Sequence, residues 1–368
     1  MHSSSMVTVC RTILLAIAVV FAIEAAGADV MTTPARQLVK VADGIYVIRH
    51  KEDPSPGYLL GNTTVIIGQR ETFVVDSGQM PSQAREDIAQ IRQLTGKPVR
   101  YLLNTHWHTD HNGGNHEYME AFPSVAIIAT SETRQMMDGF APHVLPSWTK
   151  QGRESRAGLT KILESGKGSD GKPLTKEKKN TIAARLKMVD DFVADANTFV
   201  YQAPTLMFDK QLTVDMGATR EVRVQFLGRA NTGGDAIVYL PKEKVLITGD
   251  ILVYPVPFAY DGYPSEWIQT LRTMAEFDVE TIVPGHGDVL HDKTYLNQVR
   301  ELLTFITNQV DQQLGANRDA TLEEVRKAID LSEFRTKFAQ GDPRAAAFFD
   351  NSIRDGFVEI AYHEWKQR

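Results

Sequence analysis

Residues 104 to 115 read Asn104-Thr105-His106-Trp107-His108-Thr109-Asp110-His111-Asn112-Gly113-Gly114-Asn115, with three imidazoles and one carboxylate inside six positions. The run just before, Val99 to Leu103, is mostly apolar and has the length of a buried strand. Gly113 and Gly114 break the chain at once, and a helical pattern begins beyond them. The cluster therefore belongs to a loop leaving the end of a strand. In extended chain alternate side chains point the same way, so His106 and His108 face one point together. Asp110 and His111 lie where the chain turns and can face a second point nearby. Neutral imidazole and carboxylate suit zinc and its first-row neighbours. A lone histidine in a polar loop would carry no such meaning. Three at this spacing, with an acid between them, predict a metal centre.

The chain on either side reads as α/β. Residues 38 to 50 predict two strands around an Asp43-Gly44 turn, and strands follow over 58–67 and 72–75. Val74-Val75-Asp76-Ser77-Gly78 closes a buried strand on an acid and a glycine turn. Ala84, Ile88, Ile91 and Leu94 recur at helical spacing, ended by Gly96-Lys97-Pro98. After the histidine cluster a helix runs to about Phe122, then a strand over 125–129, with Ser131 able to cap a short helix. Residues 139–208 break the pattern with a glycine-punctuated, lysine-rich stretch. A long helix is expected over 175–199, with Ile182, Leu186, Val189 and Val193 on one stripe. This predicts a helical insertion lying over the mouth of the site. Asp190, Asp191 and Asp195 balance its lysines, so the charged face reads as solvated. Trp148, Met188, Phe192 and Phe199 read as packing rather than as the roof of a pocket.

Strands resume over 211–215, 221–227, 236–240 and 245–248, the last ending at Gly249-Asp250. Tyr254-Pro255-Val256-Pro257-Phe258-Ala259-Tyr260 is an aromatic, proline-stiffened loop placed to touch a substrate. A helix over 265–277 and a strand over 281–283 lead to Pro284-Gly285-His286-Gly287, and the chain is helical from His291. Thr321 to Glu324 form a capping box, and residues 343–365 read as the last helix.

Hydrophobic residues make up 42% of the 368 positions and charged residues 23%, the composition of a globular protein. A net charge of -6 gives no reason to expect nucleic acid or an anionic membrane as partner. Arg11, the apolar run Ile13 to Ile23 and Ala26-Gly27-Ala28 fit a secretory signal peptide over 1–28, sending the mature chain to the periplasm or outside with no membrane anchor left. The single cysteine, Cys10, goes with it, so neither a disulfide nor a cysteine metal ligand is expected.

His106-x-His108-x-Asp110-His111, Gly249-Asp250 and Pro284-Gly285-His286-Gly287 resemble the motifs of the metallo-β-lactamase superfamily. The resemblance implies an αββα sandwich over 38–290, interrupted by the insertion at 139–208 and followed by a helical extension over 291–368. It implies one or two zinc ions, with iron or manganese as alternatives. His106 and His108 would serve a first metal, Asp110, His111 and His286 a second, and Asp250 both. An acid at the place of Asp76 supports the metal loop in that family; capping its own turn is an equal reading, and both can hold. The family usually supplies a third histidine to the first metal, and here that place is Asn231, a weaker carbonyl donor. Weak ligation by Asn231, a water in its stead, and a harder metal or none at the first position are all compatible with that departure.

Such a site favours hydrolysis by metal-bound hydroxide at an activated carbonyl (a β-lactam, lactone, ester or thioester), with Asp110 orienting the water as the catalytic acid–base group. The alternatives are an iron-dependent oxidoreductase of the same fold, resembling persulfide dioxygenases, and a non-catalytic metal binder. The substrate-binding residues, the substrate and the oligomeric state are not legible at this level.

Overall fold

The computed structural model describes residues 36–50, 60–168, 171–217, 220–259 and 261–368. The expected signal segment, Tyr58, Leu59 and Tyr260 lie outside the described residues. The first sheet takes seven strands in chain order: β1 (Arg36–Ala42), β2 (Ile45–His50), β3 (Thr63–Ile67), β4 (Thr72–Val75), β5 (Val99–Leu103), β6 (Ala126–Thr130) and β7 (Leu206–Phe208). β1 to β4 pair antiparallel and β4 to β7 parallel. Parallel neighbours need crossovers. These are α1 (Pro81–Leu94), the pair α2 (Thr109–Asn112) and α3 (Asn115–Ala121), and a hairpin of α4 (Ser131–Ser165) and α5 (Lys176–Ala196).

The second sheet is built from β8 (Gln211–Asp215), β9 (Glu221–Phe226), β10 (Ala236–Leu240), β11 (Val245–Ile247) and β12 (Thr281–Val283) in the spatial order β12-β11-β10-β9-β8. Here α6 (Pro264–Glu276) carries the chain from β11 to its parallel neighbour β12. The chain ends in α7 (Thr294–Ala316), α8 (Leu322–Ala328), α9 (Ser332–Ala339), α10 (Pro343–Phe349), a π-helical stretch (Asp350–Phe357) and α11 (Val358–Lys366).

The period-two alternation of the strands makes the layers. Phe73, Val75, Leu103 and Ile128 point between the sheets, where they meet Val224, Val238 and Ile247. Their neighbours Val74, Leu102 and Ile127 point the other way, onto Ile88 and Ile91 of α1 and Tyr118 of α3. On the second sheet Ile237, Tyr239 and Leu246 face outward onto Trp267 and Leu271 of α6 and Leu296 and Val299 of α7. Sheets covered on both faces need apolar residues at every position, and β10 is buried throughout. The result is the αββα sandwich. The outer core of the second sheet continues into the C-terminal helices through Val310, Phe338, Phe349 and Phe357. No helix among the described residues is long and apolar enough to cross a membrane.

The insertion departs from the reading of its sequence. Ser131 opens no short helix: α4 runs for 35 residues, with Thr130 as its cap accepting the Thr133 N–H, and it passes through Pro142 and Pro146. Gly152 marks close packing and not a break, since a Cβ there would stand 2.2 Å from Val193 of α5. Trp148 lies edge-on to Phe199 at 5.1 Å and to Phe192 at 6.2 Å, in a cluster with Met80 and Val144. Trp148 and Phe192 are core, with Phe199 packed against them, in keeping with the packing role expected. The strand expected over 58–67 begins only at Thr63, and β7 was not foreseen. The final helix is divided by the π-helical stretch.

Candidate metal centre

The strand ends deliver the site. β4 stops at Asp76, whose φ of 62° turns its carboxylate towards the loop after β5. Asp76 Oδ1 accepts the Thr105 N–H at 2.8 Å, and Oδ2 accepts the Thr105 hydroxyl at 2.9 Å. Oδ2 also lies 2.8 Å from His111 Nδ1. Asp76 thus holds the loop after β5 through Thr105 and orients His111. With Nδ1–H donated to Asp76, the lone pair of His111 stays on Nε2.

Two clusters result. Asp110, His111, Asp250 and His286 bring one potential ligand atom each within 4.8 Å of one another, as do His106, His108 and Asp250. In the cluster of Asp110, His111 and His286, the second, His111 Nε2 stands 3.2 Å from His286 Nε2, and Asp110 Oδ2 is 3.0 Å from His286 Nε2. In the cluster of His106 and His108, the first, His106 Nε2 faces His108 Nδ1 at 3.0 Å. Asp250 serves both: Oδ1 is 3.3 Å from His111 Nε2, and Oδ2 is 3.6 Å from His106 Nε2. Gly285 permits this approach, because a Cβ there would lie 2.0 Å from Asp250 Oδ1.

The donors fit divalent cations. Ring nitrogens aimed at each other at about 3 Å repel unless a proton or a metal lies between them, and all six side chains are buried. Burial works against charge on Asp110 and Asp250, but the neighbouring imidazoles of His111 and His286 outweigh it and hold both carboxyls far below the usual range. Burial also disfavours a charged His111, yet the carboxylates of Asp250, Asp110 and Asp76 more than compensate. A field that would hold a proton there serves a metal cation equally. His106 is driven well below its ordinary pKa by burial and then by His111, so it keeps a lone pair to donate.

Asn231 lies fully buried in the loop between β9 and β10, and neither its Oδ1 nor its Nδ2 makes a hydrogen bond among the described residues. A buried amide without partners is costly, and a cation or water against it would relieve that cost. Asp235 holds this loop: its Oδ2 accepts the N–H of Thr232 at 2.7 Å and of Ala230 at 3.2 Å. Burial pushes the Asp235 carboxyl up to about 7. Sequence reasoning gave Asp235 no role, and it passed over Asp261, whose Oδ1 lies 3.9 Å from His108 Nε2. Trp107, between the two histidines, packs edge-on against Phe140 of α4 at 5.2 Å, so the insertion abuts the metal loop.

A mixed-sheet sandwich holding paired His/Asp clusters at strand ends is the framework of metal-dependent hydrolases. The family model of the metallo-beta-lactamase superfamily matches residues 56–286, and the chain belongs to that superfamily. The linear primary-alkylsulfatase of Pseudomonas sp. (strain ATCC 19151) is 27% identical over 268 residues, covering 69% of this chain and 48% of that protein. The metallo-beta-lactamase type 2 of Elizabethkingia meningoseptica is 21% identical over 278 residues, covering 74% of this chain and 86% of that protein. Among solved structures, the sec-alkylsulfatase Pisa1 from Pseudomonas sp. shares the fold with a TM-score of 0.59 and 17% identity, over 90% of this chain and 50% of that one. The chain spans about half the length of the curated alkylsulfatase it matches.

Proposed function

We propose that this protein is a zinc-dependent hydrolase of small molecules with an activated carbonyl, such as a β-lactam, lactone, ester or thioester. The observation that carries this reading is Asp250, with one oxygen facing each cluster. A bridging carboxylate suits two cations a few ångströms apart. A divalent metal bound there lowers the pKa of water and polarises a substrate oxygen. The protein's own part is to hold that water and the substrate. Asp110, kept ionised beside His111 and His286, is an acceptor that orients the attacking water by its hydrogen bond. Trp107 and Phe140 keep bulk solvent from one flank. The loop over 254–259 walls another flank, tied down by the Ser352 hydroxyl on the Pro257 carbonyl at 3.1 Å and by Phe258 stacked on Phe348 at 5.6 Å.

The match to the β-lactamase, which spans most of that relative's length, supports the carbonyl reading. A second reading, hydrolysis of an alkyl sulfate ester, is favoured by the higher identity to the alkylsulfatase. A panel of chromogenic esters, lactones, thioesters, a β-lactam and an alkyl sulfate, each run with and without chelator, separates them. Chelator-sensitive turnover of a carbonyl substrate is expected. Sulfate release alone would replace the leading reading with the second, and turnover that survives chelation would sink both.

We also propose that the mature protein works outside the cytoplasm, on the strength of Arg11, the apolar run Ile13 to Ile23 and Ala26-Gly27-Ala28. Expressed in a bacterial host, the full chain is expected in the periplasmic or culture fraction with Asp29 as its first residue. An intact N-terminus in the cytoplasmic fraction would refute export.

A further inference from the structure

We propose that Asp261 is the positioning carboxylate of the first metal cluster: it holds His108 in its ligating tautomer and offsets the weak donor Asn231. This rests on the metal reading above. His108 Nδ1 is the nitrogen that faces His106 Nε2, at 3.0 Å, so Nδ1 is the atom turned to the cation. The other nitrogen, Nε2, points away from that place and towards Asp261 Oδ1 at 3.9 Å, an ion-pair separation. That oxygen is buried and makes no hydrogen bond among the described residues. The two nitrogens of one imidazole diverge, so a carboxylate at Nε2 cannot share the ion held by Nδ1. Asp261 therefore stands behind His108 and is no ligand itself.

The second cluster repeats the device with the nitrogens exchanged. Asp76 lies 2.8 Å from His111 Nδ1, leaving Nε2 for the metal. His106, in contrast, has the Thr105 hydroxyl behind it among the described residues, at 3.0 Å from Nδ1. A carboxylate behind an imidazole fixes its tautomer and raises its basicity, whereas a hydroxyl does less. At the first cluster, where an amide occupies the place of an imidazole, that extra basicity has a use. The backbone couples the two residues as well. Tyr263 N–H donates to the Ala230 carbonyl at 2.8 Å, and a Cβ at Gly262 would meet the same carbonyl at 3.0 Å. The segment carrying Asp261 is thereby pinned to the loop carrying Asn231.

The test uses the full-length protein and zinc binding measured by competition with a chelating dye, together with optical spectra of the cobalt(II)-loaded form. Wild type is expected to bind two ions. Asp261→Asn is expected to weaken one of them by about 10- to 100-fold, the range for such partners, and to leave the other unchanged. Its cobalt spectrum should change at the weakened position only. Asp261→Glu should recover most of the affinity. Adding Asn231→His to Asp261→Asn should also recover it, because a third imidazole removes the need for the carboxylate. Metal-free Asp261→Asn should melt with metal-free wild type, since the Asp261 side chain is 27% exposed. Unchanged affinities, equal loss of both ions, or a lower melting temperature of the metal-free variant would each overturn the proposal. A wild type that binds no zinc would overturn the metal reading with it, an outcome distinguishable from the others.

Discussion

Asp250→Ala is expected to lower turnover of any carbonyl substrate by about 1,000-fold or more and to lose both metal ions. The reasoning is geometric. Each oxygen of Asp250 faces a different cluster, and the residue is buried. Removing it would take one donor from each cluster, and with it the anion that would lie between two cations held there. A metal's stabilisation of developing charge is worth several kcal/mol, and each 1.36 kcal/mol is a factor of ten, so loss of about 4 kcal/mol gives the quoted factor. His286→Ala is the contrasting variant. His286 belongs to the cluster with Asp110 and His111 but not to that of His106 and His108, so one ion should remain. Elemental analysis of both purified variants beside wild type gives the result directly. An Asp250→Ala protein that still carries two ions would show that the carboxylate does not bridge.

What the sequence made legible was local. His106 and His108 lie in the bend that leaves β5, and Asp110 and His111 on the short helix α2 that follows at once, so nearness in sequence alone brings the four together. The layering was legible for a similar reason: Val99 to Leu103 and Ala236 to Leu240 are apolar at nearly every position, as strands covered on both faces must be. The insertion was harder because its glycines were read as breaks in the pattern. In α4 the packing of Trp148 against α5 holds the helix together, and Gly152 is used for close helix contact. Local propensity loses to tertiary burial there. Asp261 was invisible for another reason. It is a lone acid at the end of a proline-stiffened loop, and its partner His108 is far away in the chain. Only the return of that loop to the Ala230 carbonyl sets the pairing. An acid just past a rigid loop that follows a metal-ligating aspartate is the signal that could have drawn attention to it.

A comparable charge lies buried behind the site, and it carries the largest expected effect on stability. Asp87 of α1 is fully buried, with Oδ1 3.0 Å from His50 Nε2 and 2.8 Å from Arg36 Nε, and Oδ2 accepting the Thr63 hydroxyl at 3.0 Å. His50 Nδ1–H in turn donates to the Gly61 carbonyl at 2.7 Å, and Gly61 packs against His111, where a Cβ would come within 2.9 Å of the ring. The network therefore supports a metal ligand through one backbone unit. Burial opposes charge on both partners, but their mutual attraction wins. His50 is raised above its ordinary value and Asp87 is lowered. The contribution of His50 is complete below about pH 6.5 and fades as pH rises through its folded pKa. That of Asp87 is present above about pH 4 and fades as pH falls through its folded pKa. Between about pH 4 and 6.5 the pair is fully formed. Asp87→Asn should then cost about 3–5 kcal/mol, because it strands a buried imidazolium beside Arg36. Urea unfolding at pH 5.5 and pH 8.5 checks both size and sign, with the difference from wild type expected to shrink at the higher pH. A loss equal at the two pH values would mean that His50 is neutral in the folded protein and that Arg36 alone balances Asp87.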